Sequence, residues 1–169
     1  LASANYIIND YVDFTCYSFQ AIKTLTTGDG GAVSCRSLMD FERGKKLRWF
    51  GIDRDNDKID ESGERKYNLR EVGYKYHMNN VSAAIGLGQV DDIGIEIKNR
   101  QEVAKGYLSY FCCTPGITVP NYAKDRVSSY WLFPILVEDR YALRTKLFQN
   151  GIESSVVHQG IDRNKIFGG

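Results

Sequence analysis

Residues 16–35 read CYSFQAIKTLTTGDGGAVSC, and the fold turns on how this stretch is parsed. Asp13–Tyr17 (DFTCY) is rich in β-branched and aromatic side chains and reads as a short strand. GAVSC, 31–35, reads as a second. Gly28, Gly30 and Gly31 place three glycines in four positions between them, which calls for positive φ or close backbone approach. Lys23 stands in the connection, five residues after Ser18 and just before two threonines. An amine nucleophile must be unprotonated and held within reach of its target. A lysine at the end of a short strand, before a glycine turn, has a fixed base and a mobile tip. From spacing alone the same residue also reads as an ordinary surface lysine.

Downstream, Ser37–Phe50 reads as a helix with Leu38, Phe41 and Leu47 on one side and Arg43, Lys45, Lys46 and Arg48 as a basic group. Residues 51–72 change character: twelve of the twenty-two are charged, without a clean period, which predicts a solvated loop. GYKYHMNNVSAAIGLGQV, 73–90, leads into a helix capped by Asn79 or Asn80 and running through Ile93, Ile97, Ala104, Tyr107 and Leu108. Gly86, Gly88 and Gly94 weaken that helix, so each is expected to permit close packing against another element. SYWLFPILV, 129–137, predicts a strand, with Pro134 marking an edge or bulge. Arg140–Asn150 predicts an amphipathic helix stopped by Gly151, and Ile152–Val157 a last strand. The order is α/β or α+β.

The bulk numbers narrow the function classes. The chain has 169 residues, 43% hydrophobic and 25% charged, with net charge +1, so global charge gives no reason to expect nucleic acid or an anionic membrane. No apolar run approaches a membrane span. Cys16, Cys35, Cys112 and Cys113 form no CxxC pair, neighbouring cysteines do not readily bridge each other, and His77 and His158 lie near none of them in sequence. Free thiols in a reducing cytoplasm and no metal site are the expectation.

The string Ser18-Phe19-Gln20-Ala21-Ile22-Lys23 followed by Leu25-Thr26-Thr27-Gly28-Asp29-Gly30-Gly31 resembles the DegT-type sugar aminotransferases, fold-type-I enzymes that use pyridoxal 5'-phosphate (PLP). A second block is similar to the same family: Gly73-Tyr74-Lys75-Tyr76-His77-Met78, then Ala83-Ala84-Ile85-Gly86-Leu87 and Gln89. A third, Gly151-Ile152-Glu153 with His158, matches more loosely.

The resemblance implies that Lys23 is the catalytic lysine, linked covalently to PLP and moving protons at the substrate. It implies that Ser18 holds the cofactor phosphate and that Gln20 lies beside the cofactor. Lys75 and His77 would contact the cofactor of a partner subunit, in a homodimer that shares its active sites; the family usually has Asn and Arg near those two positions. His158 would sit near the sugar pocket. The expected substrates are a nucleotide-linked ketosugar and an amino-acid donor, usually glutamate, in deoxyaminosugar and polysaccharide biosynthesis.

Mapped on that family, the fold class is α/β: a partial fold-type-I PLP transferase, with the end of the large-domain sheet and most of the small C-terminal α+β domain. Residues 1–78 would be the remnant of the large domain, 79–111 a long connecting helix, and 112–169 the small domain. The family's acid for the cofactor's ring nitrogen and its ring-stacking side chain match nothing here; Asp10 and Asp13 are the nearby acids, and Asp13 matches the strand instead. The chain therefore reads as an internal fragment, inactive by itself. Three rivals remain: a non-catalytic sensor or binding protein of the same fold, a nucleic-acid surface at Arg43–Arg48, and a calcium loop at 53–64. That loop has Asp53, Asp55, Asp57 and Glu64 at ligand positions but Lys58 where the turn needs glycine.

Overall fold

The first unit of the structure, a computed structural model, grows from an antiparallel hairpin. The structure describes residues 11–168 and the backbone of Ser3–Ala4, so Asp10 lies outside the described residues. With β1 as Ser3–Ala4, strand β2 is Phe14–Ser18 and β3 is Gly31–Cys35. Their register pairs Phe14 with Cys35, Cys16 with Val33 and Ser18 with Gly31. One further bond, from Phe19 N to Gly30 O at 2.9 Å, closes the loop that carries Lys23.

Helix α1, Leu38–Leu47, follows directly. Ser37 caps it, its Oγ accepting from Asp40 N at 3.1 Å. Asp40 in the first turn and Lys45 and Lys46 in the last complement the helix dipole. The C-terminal carbonyls of a helix need outside donors. Here the 73–76 segment supplies them: Tyr74 N donates to Leu47 O at 2.7 Å and Tyr76 N to Arg48 O at 2.9 Å. Phe50 N returns a bond to Tyr74 O at 3.1 Å. Gly73 sits so close that a Cβ there would strike Gly51 N and Phe50 C, both backbone atoms. Arg43 grips Glu71 through Nε and Nη2, the latter at 2.9 Å, on the same seam.

Helix α2, Asn80–Val90, is capped by Asn79, whose side chain accepts from Ser82 N at 2.9 Å. The stretch expected as one helix over 79–111 is two. Asp91 and Asp92 form a turn, and Asp92 O accepts from Ile95 N and Glu96 N, starting α3, Ile93–Phe111, afresh. Aspartate favours such helix starts over helix interiors. Of the three helix glycines singled out, Gly86 is closely packed, while Gly88 and Gly94 face open space.

The chain divides into two units, 1–98 with 125–129, and 99–124 with 130–169. In the first, β1 pairs antiparallel with β5, Arg126–Val127. In the second, β4, Ile117–Thr118, pairs with β6, Leu136–Val137. Tyr107, Phe111 and Phe133 pack as a ring cluster extended by Tyr130 and Tyr122. Helix α4, Arg140–Gln149, is capped by Asp139 and stopped at Gly151, φ +71°.

Two expected strands fail here. Of 129–137, only Leu136–Val137 in this unit is a strand, because Tyr130 adopts φ +48° and Pro134 has no N–H to pair. Ile152–Val157 is irregular and exposed, since among the described residues no strand pairs with it; Ile152 N instead donates to Leu147 O at 2.9 Å, closing the end of α4.

Few side chains find cover. Among the described residues Ala104 is the one buried hydrophobic side chain, while Phe148 and Ile166 are 83% and 86% exposed. The chain exposes 13767 Å², against about 8,400 Å² for a folded monomer of this length.

Gly73→Ala forces the 73–76 segment off the end of α1. The expected loss is about 1–3 kcal/mol of stability, read as a lower denaturant midpoint, together with faster amide exchange at Tyr74 and Tyr76. An unchanged midpoint contradicts the seam.

Candidate functional site

The hairpin loop carries Lys23. Phe19 fixes both of its ends: its N–H bonds to Gly30 O, and its carbonyl accepts from Thr27 N at 2.9 Å and Thr26 Oγ1 at 3.2 Å. Within that frame Lys23 N donates to Gln20 O at 2.8 Å, a tight turn that folds the lysine back toward the strand end. Ser18, Gln20 and Lys23 thus stand at one end of one hairpin. Ser18 is exposed, and its Oγ accepts from Gln20 N at a long 3.4 Å, which leaves the hydroxyl proton able to donate elsewhere. Lys23 is half-buried.

What holds the loop is α2. Gln89, 63 residues away, clasps Thr26 with both ends of its amide: Oε1 accepts from Thr26 N at 3.2 Å and Nε2 donates to Thr26 O at 2.7 Å. Thr27 is 4% exposed and lies against Gly86, where a Cβ would meet its Cγ2 at 2.9 Å. Thr27 Oγ1 also donates to Asp29 O at 2.8 Å, shaping the glycine turn. Two sequence blocks far apart in the chain therefore form one packed unit.

The 73–78 block reaches the same place. The Met78 methyl lies where a side chain on Gly30 would go, 2.9 Å from the ideal Cβ. Lys75 is exposed and bridges backbone-to-backbone with Trp49. His77 is half-buried and sets its ring edge-on to Trp49, centroids 4.2 Å apart, with Nδ1 buried and without a hydrogen-bond partner. The Arg54 guanidinium covers Trp49 at 4.6 Å. Trp49 was not singled out from sequence; a lone tryptophan at a helix end gives no local sign of a histidine 28 residues on. His158 belongs to the second unit, exposed in an irregular segment.

The charged loop is tied down by lysines. Lys46 pairs with Asp53 at 2.7 Å, Lys45 with both Asp55 and Glu42, and Lys66 with Asp60 at 3.1 Å. The Lys46 hydrogen bond, then the Asn56 amide, hold the Asp53 carboxyl below the ordinary carboxylate range. Ser62, then Lys66, do the same for Asp60. Two of the four carboxylates of the would-be calcium loop, Asp53 and Asp55, are thus paired with lysines, whereas Asp57 Oδ2 is buried without a hydrogen-bond partner. Among the described residues no three His, Cys, Asp or Glu side chains converge as metal ligands.

A lysine and a serine hydroxyl on one hairpin end are the residue types that could hold a small aldehyde bearing a phosphate: an amine can condense with the first, and a hydroxyl can donate to the second. The donor set therefore fits PLP.

The sequence profile of the DegT/DnrJ/EryC1/StrS aminotransferase family matches residues 6–168. An uncharacterized protein of Methanocaldococcus jannaschii is 37% identical over 140 residues, 81% of this chain and 36% of its own length. GDP-perosamine synthase of Escherichia coli O157:H7 is 29% identical over 153 residues, 89% of this chain and 39% of its own. The crystal structure of the sugar aminotransferase CalS13 from Micromonospora echinospora superposes with a TM-score of 0.89 at 30% identity, covering 98% of this chain and 44% of that one. The chain thus spans less than half the length of each of these three proteins.

Lowered carboxyls stabilise a fold above their unfolded pKa, about 4, and that contribution is lost as pH falls through the lower folded value. Protection of the amides in 53–66, taken relative to the intrinsic exchange rate at each pH, is therefore expected to be high at neutral pH and to fall below about pH 4, and Asp53→Asn to show the lowered protection at neutral pH. A loop equally protected at both pH values, or unaffected by Asp53→Asn, contradicts the lysine ties.

Proposed function

From the premise that this chain belongs to the DegT/DnrJ/EryC1/StrS aminotransferase family, we propose that its protein moves an amino group from glutamate to a keto group of a nucleotide-linked deoxysugar. Enzymes of the family depend on PLP in general. When bound, that cofactor supplies the electron sink and carries the amino group between two half reactions. The observation that supports this reading is the hairpin end itself: an amine and a hydroxyl fixed on a loop that α2 clamps.

In this reading Lys23 Nζ tethers the cofactor, then takes and returns the proton at the substrate carbon. Ser18 Oγ donates to the phosphate, and Gln20 lies beside the cofactor. Lys75 and His77 reach the site of a second subunit in a homodimer. His158 lines the sugar pocket. Residues 1–78 carry the cofactor, 79–111 connect, and 112–169 form the small domain. The uncovered apolar side chains support a further point: the 169 residues by themselves do not complete a turnover.

Names of the matched relatives support the substrate class. One makes GDP-perosamine, and another, from Shigella dysenteriae, is a dTDP-4-amino-4,6-dideoxy-D-glucose transaminase.

The test is transamination of a nucleotide-linked 4-keto-6-deoxysugar by the whole protein, with glutamate as donor. Lys23→Ala should lower the rate by about 10²–10⁴-fold or more. Ser18→Ala should weaken PLP binding about 10–100-fold, the worth of a charge-assisted hydrogen bond. Full activity in Lys23→Ala, or turnover of glutamate by the isolated 169 residues, contradicts the corresponding part of the proposal.

A further inference from the structure

The turn that follows α3 carries Cys112 and Cys113 side by side, and no role above uses them. Cys112 N donates to Leu108 O at 3.0 Å, and Thr114 Oγ1 donates to Tyr110 O at 2.8 Å, so the backbone under both cysteines is held by the end of the helix. Cys112 Sγ reaches Ser109 O at 3.4 Å and Cys113 Sγ at 3.4 Å. Both residues are exposed.

This separation selects what can join the two sulfurs. A direct disulfide places its Cα atoms about 4.4–6.8 Å apart, whereas neighbours across a trans peptide are fixed at about 3.8 Å. A single bridging atom has no such conflict. With bonds to sulfur of about 2.3 Å, a 3.4 Å bite corresponds to an angle of about 95° at that atom. Tetrahedral zinc would open the pair to about 3.8 Å and would require two more ligands. Among the described residues no third His, Cys, Asp or Glu joins them. A pyramidal centre that takes two thiolates, with bond angles close to a right angle, meets both conditions.

We propose that Cys112 and Cys113 form a vicinal dithiol site for a trivalent organoarsenical. The arsenic–oxygen double bond of an arsine oxide breaks as two arsenic–sulfur bonds form. Both S–H protons leave on the oxygen as one water, arsenic stays trivalent, and no oxidant or reductant is consumed. Because the protons leave with the oxygen, the thiol form is the reactant. That agrees with the hydrogen bond to Cys113, and then burial, raising the Cys112 thiol above its ordinary pKa. The same feature makes Cys112 a poor target for reagents that need a thiolate.

The test uses phenylarsine oxide on the purified protein, read by intact mass and peptide mapping. One phenylarsenic group should add with loss of one water and map to the peptide containing Cys112 and Cys113. A dithiol should remove it, and excess monothiol should not. Cys16→Ser/Cys35→Ser should label as wild type. Cys112→Ser and Cys113→Ser, made separately, should each raise the concentration for half-labelling at least a hundredfold. Since both positions are exposed, serine is tolerated there, and an unchanged melting curve checks it. Dithiol-resistant or monothiol-reversible labelling, an adduct on Cys16 or Cys35, or undiminished labelling in either serine variant overturns the proposal.

Discussion

The amide of Gln89 grips Thr26 while Thr27 presses on Gly86, and the rest of the first unit depends on that contact. A twelve-residue connection between two five-residue strands would otherwise be a floppy loop. Two hydrogen bonds to one backbone unit and a methyl seated on a helix glycine turn it into a platform. Each bond is worth about 0.5–1.5 kcal/mol net, but their larger effect is geometric. They fix the base from which Lys23 projects, and precision at the base is what a reactive side chain needs.

The same economy appears at the end of α1. A helix terminus has carbonyls to satisfy, and 73–76 is an extended segment with N–H groups to spare. Joining them places Lys75 and His77 at fixed positions and delivers Met78 to the glycine turn. The surface ion pairs add little stability one by one. Their effect is to bind the charged loop to the seam: Arg43 to Glu71, Lys45 to Asp55 and Lys46 to Asp53.

Local features could be read from the sequence, and non-local ones could not. The hairpin, the cap at Asn79 and the stop at Gly151 are set by neighbouring residues, so their patterns suffice. The blocks around Lys23 and Gly86 were visible as motifs, but the Gln89–Thr26 clasp that joins them spans 63 residues and has no local sign. The strand patterns at 129–137 and 152–157 misled because a strand is a property of two backbones, and Tyr130 and Pro134 break the first while no strand among the described residues pairs with the second. The pairing of Trp49 with His77 was likewise out of reach, since each is an ordinary residue until α1 and the 73–78 block meet.

The central claim is that one lysine, chosen by its place on a clamped hairpin, carries the cofactor. The direct measurement is to mix the protein with PLP, reduce any covalent link with borohydride, digest, and find by mass spectrometry which lysine bears the pyridoxyl group. The account predicts that at stoichiometric PLP the label falls on Lys23, and that Gln89→Ala, which loosens the platform, spreads or weakens it. A label shared evenly among exposed lysines such as Lys75, with Lys23 no more reactive than the rest, would contradict it.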